Sequence, residues 1–64
     1  MAQFELWIND VHRPLDARTS EQAVKRGEEF ARRYRTPNVH EVYVMEVEEG
    51  QPPQRLATIR PWEG

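Results

Sequence analysis

The residues of this chain best suited to acid–base chemistry or metal binding are its two histidines, His12 and His40. His12 lies close in sequence to Asp10 and Asp16, which suggests a carboxylate–histidine pair, but no nucleophile, oxyanion donor or pocket accompanies it. The sequence contains no H-x-x-x-H or C-x-x-C spacing of the kind that binds a metal. We interpret His12 as a surface or turn residue, and His40, at the start of a predicted strand, is no stronger a candidate. The sequence therefore predicts no catalytic residue, no metal and no other cofactor.

A second candidate chemistry is contact with nucleic-acid phosphates, because five of the nine basic residues fall on one predicted helix. These residues are Lys25, Arg26, Arg32, Arg33 and Arg35. Acidic side chains such as Glu28 and Glu29 interleave with them, and eleven acidic residues in the whole chain give a net charge of -2. A phosphate-binding domain usually has a strong basic excess. The sequence therefore favours a solvated, salt-bridged helix face over a nucleic-acid interface.

The length and composition restrict the class of protein further. A chain of 64 residues suffices for one domain, residues 1–64, and leaves no room for a cleft between domains. The absence of cysteine excludes disulfide bonds, so a reducing cytoplasm is the expected location. The sequence has no signal-peptide pattern and no run of about 20 apolar residues that would span a membrane. A hydrophobic content of 38% with a small net charge is typical of a folded chain.

One helix is predicted from a capping box at Thr19 to about Arg35. The Thr19 hydroxyl is expected to accept a hydrogen bond from the backbone N–H of Gln22, whose side chain would reach back to the Thr19 N–H. Apolar residues then recur at spacings of three and four: Ala23, Gly27, Phe30, Ala31 and Tyr34. The opposite face carries acid-first ion pairs: Glu21/Lys25, Glu28/Arg32 and Glu29/Arg33. Gly27 indicates either close approach of the helix to a sheet or a tolerant position, since Gly costs about 1 kcal/mol relative to Ala in a helix interior.

Alternating apolar and polar residues predict strands before the helix. The first covers residues 3–8 and is followed by Asn9-Asp10, which suit a two-residue hairpin turn. Such a turn would pair Ile8 with Val11 and begin a short second strand. Because Pro14 cannot donate a backbone hydrogen bond, this strand should lie at a sheet edge or stop early.

Two further strands are predicted after the helix. Residues 39–47 are rich in β-branched and aromatic types, and residues 55–60 follow after a polar turn that contains Pro52-Pro53. The short connection implies that these strands pair antiparallel.

The predicted sheet has a face that one helix cannot cover. The helix side is expected to receive Phe4, Leu6 and Ile8, and the other side receives a largely apolar set: Trp7, Tyr43, Met45, Val47 and Leu56. The outer face of a half-solvated antiparallel sheet is usually polar, so this set predicts an interaction surface. The alternatives are that Trp62 and the C-terminal tail fold back over this face, or that Val11 and Leu15 do.

Together these observations predict a two-layer α+β domain, with one helix packed on a three- or four-stranded, mainly antiparallel sheet in the order βαββ or ββαββ. The predicted function is non-catalytic protein interaction, through a homodimer or another protein partner. The alternative is a nucleic-acid-associated or regulatory protein, for example of phage type, that uses the helix arginines. An enzyme would require Asp10, His12 or His40 to converge with residues of a second subunit. No small-molecule substrate is evident.

Overall fold

The computed structural model describes residues 2–63, which fold into one helix and four strands. The elements in chain order are β1 (Gln3–Ile8), β2 (Val11–Leu15), α1 (Ser20–Arg33), β3 (Val42–Val47) and β4 (Gln54–Ile59). The strands form a single antiparallel sheet in the order β2-β1-β3-β4, and α1 packs on one of its faces. The predicted two-layer α+β architecture is confirmed in its ββαββ form.

The β1–β2 hairpin forms through the predicted two-residue turn. Ile8 pairs with Val11, and Asn9 takes a positive φ of 52°, which Asn tolerates better than most residues. β2 continues through Pro14 to Leu15 and lies at one edge of the sheet. At an edge, the missing backbone N–H of proline does not interrupt the hydrogen bonds between strands.

Helix α1 begins at the predicted cap and ends slightly earlier than predicted. The Thr19 hydroxyl accepts a hydrogen bond from the Gln22 N–H at 3.1 Å. The Gln22 side chain accepts from the Arg18 N–H at 3.0 Å, so the second arm of the predicted capping box reaches Arg18 rather than Thr19. The helix ends at Arg33, and the Tyr34 N–H closes it with a bond to a carbonyl one turn earlier.

Small residues on α1 bring the helix close to the sheet. Ala23, Gly27 and Ala31 are the buried residues of the helix, while Phe30 is half-buried and Tyr34 is exposed. A Cβ atom added at Gly27 would lie 2.7 Å from Val44 Cγ2 and 3.2 Å from a methyl group of Leu6. The close-approach interpretation of Gly27 is therefore correct. The core consists of this stripe and the helix-side residues of the sheet, mainly Phe4, Leu6, Val42, Val44 and Ile59.

A β-bulge between β3 and β4 changes the side on which Leu56 lies. Val44 pairs with Ala57 and Met45 pairs with Arg55, so Leu56 has no partner across the strand pair. The extra residue shifts the alternation of β4, and Leu56 packs against the helix-side core and lines a depression beside Val24. The prediction that Leu56 shares a face with Tyr43 is wrong for this reason.

The C-terminal tail packs against the end of α1 rather than over the uncovered side of the sheet. Trp62 Nε1 donates to the Thr36 carbonyl at 3.1 Å, and the Arg35 guanidinium lies 5.0 Å from the Trp62 ring centroid. Pro61 is fully buried, and Arg32 donates to the Glu63 carbonyl at 2.7 Å. The alternative in which Trp62 covers the uncovered sheet face is therefore wrong.

Candidate interaction surface

The sheet side opposite α1, called the open face below, is covered by no element among residues 2–63. Strand alternation and register place ten side chains on it: Gln3, Glu5, Trp7, His12, Pro14, Tyr43, Met45, Val47, Arg55 and Thr58. Four of the five residues predicted to bind a partner are in this set, and Leu56 is the exception.

Trp7 is held in place on the open face by two neighbours. Its ring stacks on His12 with a centroid separation of 4.0 Å and an interplanar angle of 3°. Its Nε1 donates to Glu5 Oε1 at 2.8 Å, so the polar atom of the indole has a partner. These contacts fix the orientation of Trp7, which remains half-buried.

Tyr43 is positioned in a similar way on the neighbouring strand. Its hydroxyl donates to Glu41 Oε1 at 3.1 Å, and Arg55 lies over its ring at 5.3 Å from the centroid. Glu41 also forms an ion pair with Arg60 at 3.4 Å. The ring of Tyr43 is thus held by charged groups on two sides.

Met45 lies at the centre of the open face and is only 6% exposed. It is not part of the helix-side core, so the surrounding side chains of its own face cover it. Trp7, Tyr43 and Val47 are half-buried, while the exposed large hydrophobic residues lie elsewhere, at Val11, Tyr34 and Trp62. The open face is therefore a partly closed apolar centre with a polar margin, rather than the largely apolar surface predicted.

Opposite charges lie on the two sides of Met45. Register places Glu5 beside it on β1 and Arg55 beside it on β4. The next row along the sheet consists of Trp7, Tyr43 and Thr58, in the same strand order. In the Met45 row, the charge therefore changes from negative at Glu5 to positive at Arg55. In the Tyr43 row, the side chain changes from large at Trp7 to small at Thr58.

Six residues of this surface are not among the predicted site residues: Gln3, Glu5, His12, Pro14, Arg55 and Thr58. Glu5 follows from strand alternation, since it is two residues from Trp7. His12 follows from the hairpin register, because an Ile8–Val11 pair places His12 opposite Trp7. The sequence does not indicate that Arg55 lies on the open face, because its position depends on the β-bulge between β3 and β4.

The basic residues predicted on the helix do not form one surface, and Arg35 lies beyond the end of α1 at Arg33. Arg32 pairs with Glu28 at 3.4 Å and Arg35 packs on Trp62, so both hold neighbouring structure. Arg33 lies over the Tyr34 ring at 5.6 Å, while Lys25 and Arg26 are exposed. Of the three predicted helix ion pairs, Glu28/Arg32 is the one that forms within the described residues.

The residues considered for catalysis or metal binding do not form a cluster among residues 2–63. His12 is engaged with Trp7, and His40 is exposed in the loop before β3. Among residues 2–63, no three His, Cys, Asp or Glu side chains come together as metal ligands would. Helix α1, at 14 residues, falls short of the length and apolar character needed to cross a membrane. Comparison of the chain with models of protein families, with curated proteins and with solved structures finds no match.

Proposed function

We propose that this chain is a small non-catalytic interaction protein that self-associates through the open face as a twofold dimer. The observation that carries the proposal is the pair of fixed aromatic side chains, Trp7 and Tyr43, beside the buried Met45 on a sheet side without a covering element. Rigid aromatic residues lose little entropy on binding and are enriched at the centres of interfaces.

The charge pattern favours a second copy as the partner. In two sheets packed face to face about a twofold axis parallel to β3, β1 of each copy lies opposite β4 of the other. Glu5 then faces Arg55 of the second copy, and Trp7 faces the smaller Thr58. Charge and size both match in this arrangement, whereas an axis perpendicular to the strands would place Glu5 against Glu5.

The dimensions of the molecule are compatible with such an interface. It extends 34 × 21 × 14 Å, so its broad side of roughly 700 Å² approaches the ~800 Å² per partner of a standard interface. A chain of this size buries about 60% of its unfolded surface, and its core rarely supplies more than ~3–5 kcal/mol. Burial of the open face would add to that stability.

The nucleic-acid alternative has less support. Arg32 and Arg35 hold the tail, and acidic residues share the surface with Lys25 and Arg26. A phosphate-binding role for Arg32 would compete with its 2.7 Å hydrogen bond to the Glu63 carbonyl.

A charge-exchange experiment tests the dimer. Glu5→Arg should place its new arginine against Arg55, and Arg55→Glu should place its new glutamate against Glu5. Each variant should raise the dimer dissociation constant by about tenfold, since each substitution acts twice in a twofold interface. An equimolar mixture of the two variants should associate like the wild type, because both contacts of the heterodimer are then attractive.

Sedimentation velocity measures these equilibria. Arg26→Glu makes the same charge change on the exposed surface of α1 and should leave association unchanged. Glu5→Gln keeps an acceptor for Trp7 Nε1, and it separates the loss of charge from the loss of that hydrogen bond. A wild-type chain that sediments as a compact monomer at tens of micromolar, or a mixture that stays monomeric while the wild type is dimeric, contradicts the proposal.

A further inference from the structure

A cavity of about 430 Å³ lies between the C-terminal half of α1 and the helix side of the sheet. Its lining includes Ile8, Arg13, Phe30, Tyr34, Arg35 and Val39. The volume is at the small end of the roughly 300–1,000 Å³ typical of ligand pockets. We call it the Arg13–Arg35 cavity. It is on the opposite side of the sheet from the open face.

The cavity has two cationic side chains at its border. Arg13 pairs with Leu6 across β1–β2, which places it on the helix side of the edge strand, and its guanidinium lies 5.0 Å from the Phe30 ring centroid. Arg35 lies over Trp62, and one of its guanidinium nitrogens is 3.5 Å from the Pro61 carbonyl. Neither arginine forms an ion pair with a carboxylate of residues 2–63.

The charge of this lining differs from that of the neighbouring depressions. Among residues 2–63, no Asp or Glu lines the Arg13–Arg35 cavity. Depressions elsewhere along α1 combine basic residues with Glu28 or Glu29, so their charges largely cancel. In a chain whose net charge is -2, a cavity with two arginines and no acid is a local reversal of sign.

We propose that the Arg13–Arg35 cavity binds a small-molecule monocarboxylate with an apolar body. The carboxylate would accept hydrogen bonds from the guanidinium groups of Arg13 and Arg35, whose planar donors match its geometry. The apolar body would pack against Ile8, Phe30 and Val39. The cavity volume limits that body to about one aromatic ring or a short aliphatic chain. The sequence gives no indication of this site because its lining residues come from five separate segments.

The test is an NMR titration of the ¹⁵N-labelled protein with 4-phenylbutyrate. We expect saturable shifts of the Tyr34, Thr36 and Val39 amides, with a dissociation constant in the millimolar range for a ligand of this size. The uncharged 4-phenylbutanol should bind at least fivefold more weakly. Affinity for the carboxylate should fall with added salt, because the guanidinium contacts are screened.

Variants assign the effect to the two arginines. Arg13→Gln and Arg35→Gln should each weaken 4-phenylbutyrate binding about fivefold or more, and Arg13→Lys should have a smaller effect because the charge is kept. Arg26→Gln removes an exposed charge of α1 that does not line the cavity, and this variant should bind like the wild type. Equal binding of the acid and the alcohol, shifts located away from residues 34–39, or no saturation at ten times the expected constant would each overturn the proposal. Dimerisation does not enter these readouts, so the proposal fails or holds independently of the open-face dimer.

Discussion

Replacing Gly27 by alanine measures how closely α1 approaches the sheet. Two effects oppose each other in this variant. Alanine is favoured over glycine by about 1 kcal/mol in a helix interior, which should stabilise the protein. The new Cβ would also lie 2.7 Å from Val44 Cγ2, well inside the ~3.5–4.0 Å of an ordinary carbon–carbon contact.

We expect the close contact to dominate. Val44 is 0% exposed and Leu6 is 1% exposed, so neither side chain has free space into which to move. Overpacking of this kind typically costs ~1–3 kcal/mol. The net loss of unfolding free energy should be about 1 kcal/mol, which lowers Tm by roughly 4–8 °C in a domain of this size. Thermal and urea unfolding followed by circular dichroism measure both quantities.

Two sets of variants separate the opposing effects. At the exposed position Arg26, the alanine variant should be about 1 kcal/mol more stable than the glycine variant, which measures the helix preference in the same helix. In a Val44→Ala background, the space for a methyl group opens, and Gly27→Ala should become neutral or stabilising. If Gly27→Ala instead raises the unfolding free energy in the wild-type background by as much as the Arg26 alanine and glycine variants differ, Val44 and Leu6 leave room for a methyl group at position 27. That result would contradict the close approach of α1 to the sheet.

Two further predictions concern the local signals that begin the helix and turn the first hairpin. Thr19→Ala removes the acceptor for the Gln22 N–H and should lower the unfolding free energy by about 1 kcal/mol in urea titrations, while Thr19→Asn should remain close to the wild type. Asn9→Val places a β-branched residue at a φ of 52° and should cost about 1–2 kcal/mol, whereas Asn9→Gly should cost little; equal stabilities of the two Asn9 variants would exclude the positive φ.

The elements that the sequence predicts correctly depend on neighbours along the chain. The Thr19 cap needs only the backbone N–H three residues later, and the Asn9-Asp10 turn determines the Ile8–Val11 pair. The Gly27 contact is an intermediate case. The sequence indicates that a small residue lies in the apolar stripe, but the neighbour that makes it necessary, Val44, is known only from the packed structure.

The features that the sequence did not predict arise from contacts between distant segments. The position of Leu56 depends on one extra residue in β4, and strand alternation alone assigns it to the wrong face. The tail packs through a bond from Trp62 to Thr36, which no local pattern encodes. The same holds for the Arg13–Arg35 cavity, whose two cations come from β2 and from the loop after α1.

Pro14 in the edge strand also has a consequence for the size of any assembly built by sheet extension. The sheet has two edges, β2 and β4, and of these two strands only β2 contains a proline. If a second copy adds antiparallel along β4, both β4 edges are used, and each free end of the enlarged sheet is a β2 strand interrupted by Pro14. Further addition then lacks one of the backbone donors of that edge, which disfavours growth beyond two chains. Pro14 therefore counteracts extension of the sheet into an open-ended fibre.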